Sequence, residues 1–326
     1  MPEVWFQMVK PTVISTFAGC GGSSLGYKLA GFRELLAVEW DDNAVETFKL
    51  NFLDVPVYHG DIARLSGAEC MKLAGIKAGE LDVLDGSPPC QGFSTAGKRK
   101  FDDPRNSLFN EFARLVKELQ PRVFVMENVT GMVKGCMKQA YLVIIKTLRD
   151  CGYRAKGEVM NAMYFNVPQS RERVIIIGVR NDLGIEPTHP KPQGGGIAVK
   201  EAIGDLVGRD MKELMHMRHP RAKDSKSFIN WIKTKHGDPV LGQSLYKINP
   251  NKPSNTIKKS SELFHYSENR PLTAREYARL HSYPDGFKFI SPASAHIRVG
   301  NSVPPNLMRA IAEHIRKGVL SKCPAK

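Results

Sequence analysis

Short apolar runs alternate with amphipathic ones along the first 180 residues. The run "TVISTF" (12–17) predicts a strand, followed by a glycine-rich turn and a helix from about residue 23. "LLAVEW" (35–40) predicts a second strand, and 42–52 a helix that Asp41 or Asp42 can cap. "VPVYHGD" holds a short strand, and "LDVLDG" another, which runs into the loop "GSPPCQGFS". Leu108, Phe112, Leu115 and Leu119 fall at helical spacing and predict a helix over 106–119 with one apolar face. "RVFVMENV" (122–129) and "RVIIIGVR" (173–180) predict buried strands, with a helix over 139–151 between them. Strand–helix alternation of this kind builds a parallel, doubly wound α/β sheet.

The pattern breaks after about residue 183, at "EPTHPKPQGGG". Residues 190–270 have weak periodicity and many Lys, His, Pro, Gly and Asn, which predicts a small, irregular second domain. Regular structure returns over 273–281, where Thr273 and Glu276 form a capping box, and a last helix is expected over 305–317 with proline near its start. The expected organisation is a first domain of 1–188 completed by 300–326, a second domain of 189–270, and a hinge at 271–299.

Composition narrows the partners. The chain has 326 residues, 42% of them hydrophobic, so it can bury a sizeable core. No apolar run is long enough to span a membrane, and the N-terminus carries no signal-peptide core, so the protein is expected to stay in the compartment where it is made. The net charge is +14, and residues 209–260 hold 12 Lys or Arg against 4 Asp or Glu, an excess of +8 in a sixth of the chain. That concentration points to a polyanion, most simply nucleic acid. The six cysteines are scattered with no Cys-x-x-Cys pair, which favours reduced thiols and gives no metal site.

The turn "FAGCGGSSLG" links the first strand to a helix, and Gly19, Gly21 and Gly22 allow a tight turn and close approach of a ligand. Eighteen residues past Gly21 the second strand ends in Glu39, placed to accept hydrogen bonds from ribose hydroxyls. Trp40 can cover an adenine face and Asp61 can accept its amino group. A nucleoside cofactor follows, but these residues alone do not separate NAD from S-adenosylmethionine. Nor do they decide whether Cys90 is a nucleophile or a small apolar residue at a strand end.

"FAGCGG", "EWD", "GDI", "GSPPCQGFS", "ENV", "QSRERV", "RPLTAREYARLHSYPD" and "GNSVPP" occur in this order. Together they resemble the motif series of the cytosine-C5 DNA methyltransferases, from about residue 12 to 310 and excepting 190–250. The resemblance implies a Rossmann-like methyltransferase sheet with a smaller target-recognition domain. It further implies S-adenosylmethionine as cofactor with S-adenosylhomocysteine as product, no metal, and duplex DNA as partner. The protein should act as a cytoplasmic, nucleoid-associated monomer of compact prokaryotic type.

Cys90 then corresponds to the nucleophile that adds to C6 of cytosine, since C5 becomes reactive only once the ring is an enamine. Glu127 corresponds to the residue that meets N3, and it should do so as a protonated donor with a raised pKa. Arg173 corresponds to the group holding O2, with Arg171 and Gln169 supporting the site. The C5 proton goes to water, because no side chain claims it. Phe17, Cys20, Ile62, Pro89 and Leu108 join the glycines, Glu39, Trp40 and Asp61 around the cofactor, and Tyr283, Asn301 and Ser302 return to it. In the loop 91–107, Ser94, Lys98 and Arg105 meet phosphates of DNA whose target base is flipped out. Thr256, with Lys258 and Lys259 beside it, contacts the DNA backbone. Gln243 stands 13 residues earlier, a spacing shared with a base-reading glutamine of one member, and Tyr246 and Lys247 lie nearby. Two rivals stand: an RNA cytosine methyltransferase, disfavoured because the Cys-Phe-Thr tripeptide of the tRNA enzymes is absent, and a non-catalytic DNA-binding relative, disfavoured by the intact Cys90, Glu127 and Arg173.

Overall fold

Seven strands form one sheet: β1 (Thr12–Thr16), β2 (Arg33–Glu39), β3 (Val57–His59), β4 (Val83–Gly86), β5 (Val123–Val129), β6 (Tyr153–Asn161) and β7 (Glu172–Arg180). They come from a computed structural model that describes residues 10–89, 107–133, 138–209, 245–259, 262–268 and 270–323. The spatial order is β3-β2-β1-β4-β5-β7-β6. The first five strands are parallel, but β7 runs antiparallel to both β5 and β6.

The sheet is therefore mixed, which corrects the wholly parallel expectation. The cause is β6, an edge strand that periodicity does not signal because Arg154, Lys156, Gly157 and Glu158 occupy its middle. With β6 in place, the connection 162–171 simply turns the chain back, and an antiparallel neighbour results. The apolar strand β7, buried along most of its length, fills the gap between β5 and β6.

Alternate residues of each central strand feed opposite cores, as a period of two requires. Ile14, Leu84, Phe124 and Ile176 face α3 (Gly67–Ala74), α4 (Ser107–Leu119) and α5 (Lys138–Asp150). Val13, Val83, Val125 and Ile177 face the other side, with Tyr27 of α1 (Gly22–Leu29) and Leu307 and Ile311 of the C-terminal helix. Helix α2 (Asp42–Asn51) is capped by Asp41, whose carboxylate accepts the Ala44 amide at 2.8 Å.

The remaining described elements are α6 (Val199–Ile203), the parallel pair β8 (Leu245–Lys247) and β9 (Glu262–Phe264), α7 (Ala274–Leu280), α8 (Pro292–Asn301) and α9 (Pro305–Gly318). Thr273 and Glu276 do form the capping box on α7. The stretch expected as a hinge holds α7 and α8. Their buried faces share a core with Phe48 and Phe52 of α2 and its C-cap, Val199 and Ile203 of α6, and Ile248, Ile257 and Leu263. Among the described residues no helix is long and apolar enough to cross a membrane.

Helix α9 lies directly on α1, and Arg316 Nη1 donates to the Ala30 carbonyl at 2.8 Å. Gly26 makes the approach possible: a Cβ there would stand 2.6 Å from the Met308 Cβ and 2.7 Å from the Pro305 carbonyl oxygen. Replacing glycine by alanine inside a helix ordinarily adds about 0.5–1 kcal/mol of stability. Here the two helices must part, so Gly26→Ala should instead lose about 1–3 kcal/mol. A lower urea midpoint at unchanged slope would show it; a stabilised variant would mean the helices separate freely.

Candidate active site

The C-terminal ends of β1, β2, β4 and β5 lie side by side, and the loops that leave them build the site. After β1 the chain enters the left-handed region at Phe17 (φ 54°), Gly19 (φ 56°) and Gly21 (φ 96°) before α1 starts. Glu39, the last residue of β2, closes this turn. Its Oε2 accepts the Gly19 amide at 2.7 Å, and its Oε1 accepts the Trp40 and Asp41 amides at 2.9 and 3.0 Å. The acid expected to receive a ribose thus also fixes the glycine turn and the start of the next loop. Trp40 stands 77% exposed at the rim. A Cβ on Gly19 would meet nothing within 4 Å, so the turn opens onto free space.

Asp61 caps the turn Ile62–Arg64 through the Ala63 amide at 2.9 Å, and Ile62 is buried beneath it. Cys20 and Tyr283 are both buried, and their Sγ and hydroxyl lie 3.2 Å apart. Burial pushes the Cys20 thiol up to about 11. These two side chains, both expected near a cofactor, meet each other behind the turn and support the loop. Asp41 is also held from outside by Arg298 of α8, at 2.7 and 3.2 Å.

Strand β4 leads to Pro88 and Pro89, and the Asn128 side-chain amide on β5 donates to the Pro88 carbonyl at 2.9 Å. Pro89 is exposed, and Leu108, on the first turn of α4, packs partly buried against the core. Cys90, Ser94, Lys98, Arg105 and Gln243 lie outside the described residues, as does the side chain of Tyr246. One strand over from Pro88, Glu127 and Arg173 form an ion pair: Arg173 Nε donates to Glu127 Oε1 at 2.7 Å, and the two side chains are 13% and 11% exposed. Antiparallel pairing of β5 with β7 sets Val129 opposite Arg173, which brings Arg173 within reach of Glu127 on the same face. The carboxyl expected as a hydrogen-bond donor is thus seen accepting from a cation.

Arg171 and Gln169, expected to support the catalytic groups, are bonded to backbone and, in the case of Gln169, to His281. Arg171, 2% exposed, donates to the carbonyls of Ile257 (2.8 Å), Gly300 (3.1 Å) and Ser302 (3.0 Å). Gln169 accepts the Ile257 amide at 2.9 Å and meets His281 Nδ1 at 2.9 Å. The Arg171 side chain is committed to backbone, and that of Gln169 to backbone and His281, so both hold other segments in place. Burial, helped by the nearby Arg173, lowers the Arg171 guanidinium to about 9. Thr256 donates to the Ser170 carbonyl at 2.7 Å, Lys258 and Lys259 are exposed, and Asn301 is exposed beside the buried Ser302. Lys247, expected as a DNA contact, is 6% exposed, because pairing of β8 with β9 turns it inward; it is not a surface cation.

One group escaped sequence reasoning although its signal was present: Asp85, an acid inside an apolar strand. It is buried, and Tyr27 donates to its Oδ1 at 3.3 Å. Glu34 lies close by, accepting from Ser24 at 2.8 Å, and burial pushes it up to about 7.

A model of the C-5 cytosine-specific DNA methylase family matches residues 11–317. The chain is 38% identical over 327 residues to the Type II methyltransferase M1.HphI of Haemophilus parahaemolyticus, covering 94% of this chain and 87% of that one. It is 33% identical over 369 residues to the Type II methyltransferase M.XorII of Xanthomonas oryzae pv. oryzae, covering 97% and 87%. The crystal structure of an E. coli prophage protein described as a DNA modification methyltransferase is similar at a TM-score of 0.80 and 26% identity, over 96% of this chain and 100% of that one. The S. pombe Dnmt2 methyltransferase shares the fold at a TM-score of 0.67 and 20% identity, over 94% and 99%.

Asp85 gives the site's floor a pH dependence. Burial pushes its carboxyl from 3.8 up to about 8, opposed by a hydrogen bond from Ser23 and reinforced by Glu34. Between those two values the folded protein keeps a proton that the unfolded chain has released, so stability falls as pH rises through this window. The slope from one such group is at most about 1.4 kcal/mol per pH unit. Asp85→Asn cannot ionise and should flatten it, so the variant gains on the parent as pH rises. Urea denaturation at several pH values inside the window would check this; parallel slopes for parent and variant would refute it.

Proposed function

The chain belongs to the C-5 cytosine-specific DNA methylase family and is a DNA cytosine-5-methyltransferase, and from that premise we propose that it methylates C5 of a cytosine flipped out of duplex DNA, using S-adenosylmethionine and a covalent Cys90–C6 bond. The observation that carries this reading is the Glu127–Arg173 pair one strand over from the Pro88–Pro89 turn that leads to Cys90. A carboxyl and a guanidinium, both largely shielded from water, match the N3 and O2 edge of one pyrimidine.

The donor set fits the cofactor. Glu39 would hold its ribose, Trp40 and Asp61 its adenine, and the open glycine turn with Asn301 and Ser302 its amino-acid end. When bound, S-adenosylmethionine supplies an electrophilic methyl group. The chain's own residues make C5 able to attack it. The Cys90 thiolate adds to C6, and the displaced π electrons put nucleophilic character on C5. Glu127 gives a proton to N3 in the closed complex while still accepting from Arg173, whose fork also holds O2. After transfer, water takes the C5 proton, the C6–S bond breaks with its electron pair going to sulfur, and N3 returns its proton to Glu127, which restores the ring, the thiolate and the carboxyl.

A stacked base cannot reach these groups, so flipping is required. Thr256, Lys258 and Lys259 would hold the DNA backbone, and Ser94, Lys98 and Arg105 of the loop 91–107 would add phosphate contacts. The stretch 189–270 would read the target sequence. The Type II names of the relatives support a place in a restriction-modification system.

Labelled cofactor offered with duplex DNA and, separately, with tRNA should mark the DNA alone. Cys90→Ala should abolish transfer and leave DNA binding intact or improved; transfer above about a hundredth of the parent rate, a loss under ~2.7 kcal/mol in barrier, would overturn the nucleophile assignment. Glu39→Ala should weaken S-adenosylhomocysteine by roughly ten- to hundredfold, or about 1.5–3 kcal/mol, with calorimetry as the measure. Unchanged affinity would mean that the turn holds something else.

A further inference from the structure

We propose that Gln169, Arg171 and His281 form a latch that makes binding at the strap 254–259 and at the turn 300–302 cooperative. The inference rests on reading the strap as a DNA contact and the turn as a cofactor contact. Among the described residues, the latch bonds both backbone groups of Ile257: Gln169 accepts its amide at 2.9 Å and Arg171 donates to its carbonyl at 2.8 Å. The same guanidinium donates to Gly300 and Ser302 at 3.1 and 3.0 Å. His281 closes the circuit. The Gln169 side-chain amide donates to Nδ1 at 2.9 Å, so Nε2 carries the proton and donates to Ser302 at 3.0 Å. Burial, with the Arg171 cation next, holds this imidazole well below its ordinary pKa, and it stays neutral.

All three side chains are at most 2% exposed, so water does not replace a bond that breaks. A second observation is independent of them. A Cβ on Gly300 would stand 2.5 Å from the Lys259 amide nitrogen and 2.6 Å from the Lys258 carbonyl carbon, so strap and turn are also in backbone contact. On their outer sides the strap shows Lys258 and Lys259, and the turn shows Asn301. A ligand that orders either surface therefore orders the element behind the other. The second ligand then loses less freedom on binding, and the gain is reciprocal.

Calorimetric titration of S-adenosylhomocysteine, with and without a saturating short DNA duplex, measures the coupling. The parent should bind the cofactor product about tenfold tighter with DNA present. His281→Phe removes two of the bonds and alters neither outer surface, so the affinity for either ligand alone should stay within about threefold of the parent while the coupling falls below about twofold. Gly300→Ala wedges the strap from the turn, and its readout is the ratio alone, which should also fall below about twofold. A merely structural role would lower the melting temperature and leave the ratio unchanged. A parent that binds both ligands without coupling, or variants that keep it, would overturn the latch. A parent that binds neither ligand would overturn the reading of the site and the latch together. Hydrogen exchange needs no variant: S-adenosylhomocysteine alone should slow exchange of the Ile257 amide at least severalfold, and an unchanged rate would also overturn the proposal.

Discussion

A buried guanidinium that binds only carbonyl oxygens is the constraint around which this molecule is arranged. Arg171 ties the strap 254–259 and the turn 300–302 together through three carbonyls, and no carboxylate of the described residues lies within ion-pair distance of it. Taking such a charge out of water costs several kcal/mol unless fixed dipoles replace the lost hydration. Three carbonyls converging on one fork supply those dipoles, and each must stay in place for the others to suffice. The penalty for displacing any one segment is therefore that of exposing an unsolvated cation, which is larger than that of losing one neutral hydrogen bond.

The same logic of satisfied backbone recurs at the glycine turn. There the groups are amides, and the satisfying charge is the Glu39 carboxylate. One anion on amide nitrogens and one cation on carbonyl oxygens thus hold the loops at the C-terminal edge of the sheet, where helix and strand ladders no longer serve. Between them lies the Glu127–Arg173 pair, whose two members neutralise each other. Loops built this way are preorganised: their polar groups already point in fixed directions before a ligand arrives.

Much of this was legible in the residues. The apolar strands, the Asp41 cap, the Thr273–Glu276 box and the glycine turn ending at Glu39 all declare themselves through local spacing, and local rules govern them. The order of the motifs pointed to the family. What the sequence hid depends on partners distant along the chain. Strand β6 carries charge because only one of its edges is paired, so it lacks the apolar alternation that marks a half-buried strand. Helix α8, "PASAHIRVGN", carries Ser, His, Ile, Val, Gly and Asn, all weaker helix formers than its two alanines, and stands through its Ser291 cap and its buried face. The inward commitment of Arg171 and Gln169 is set by elements more than eighty residues away and the burial of Lys247 by a strand 15 residues on, and a charged side chain in a motif reads as solvent-facing until those elements are placed. The buried acid Asp85 was visible as a polar residue in an apolar run, but its depth was not.

The packing of α9 on α1 has a consequence for how the protein comes into being. Arg316 and Ala30 are 286 positions apart, yet the helices that carry them close one face of the sheet. During synthesis, which runs from the N-terminus at roughly 5–20 residues per second, the apolar side of α1 waits tens of seconds for its cover. The strands it overlies cannot bury that face in the meantime, and contacts of such separation form late and slowly. The turn 300–302, to which Arg171 is bonded, arrives with the same late segment. A nascent chain thus keeps one face of its sheet open until the segment around Arg316 has been made.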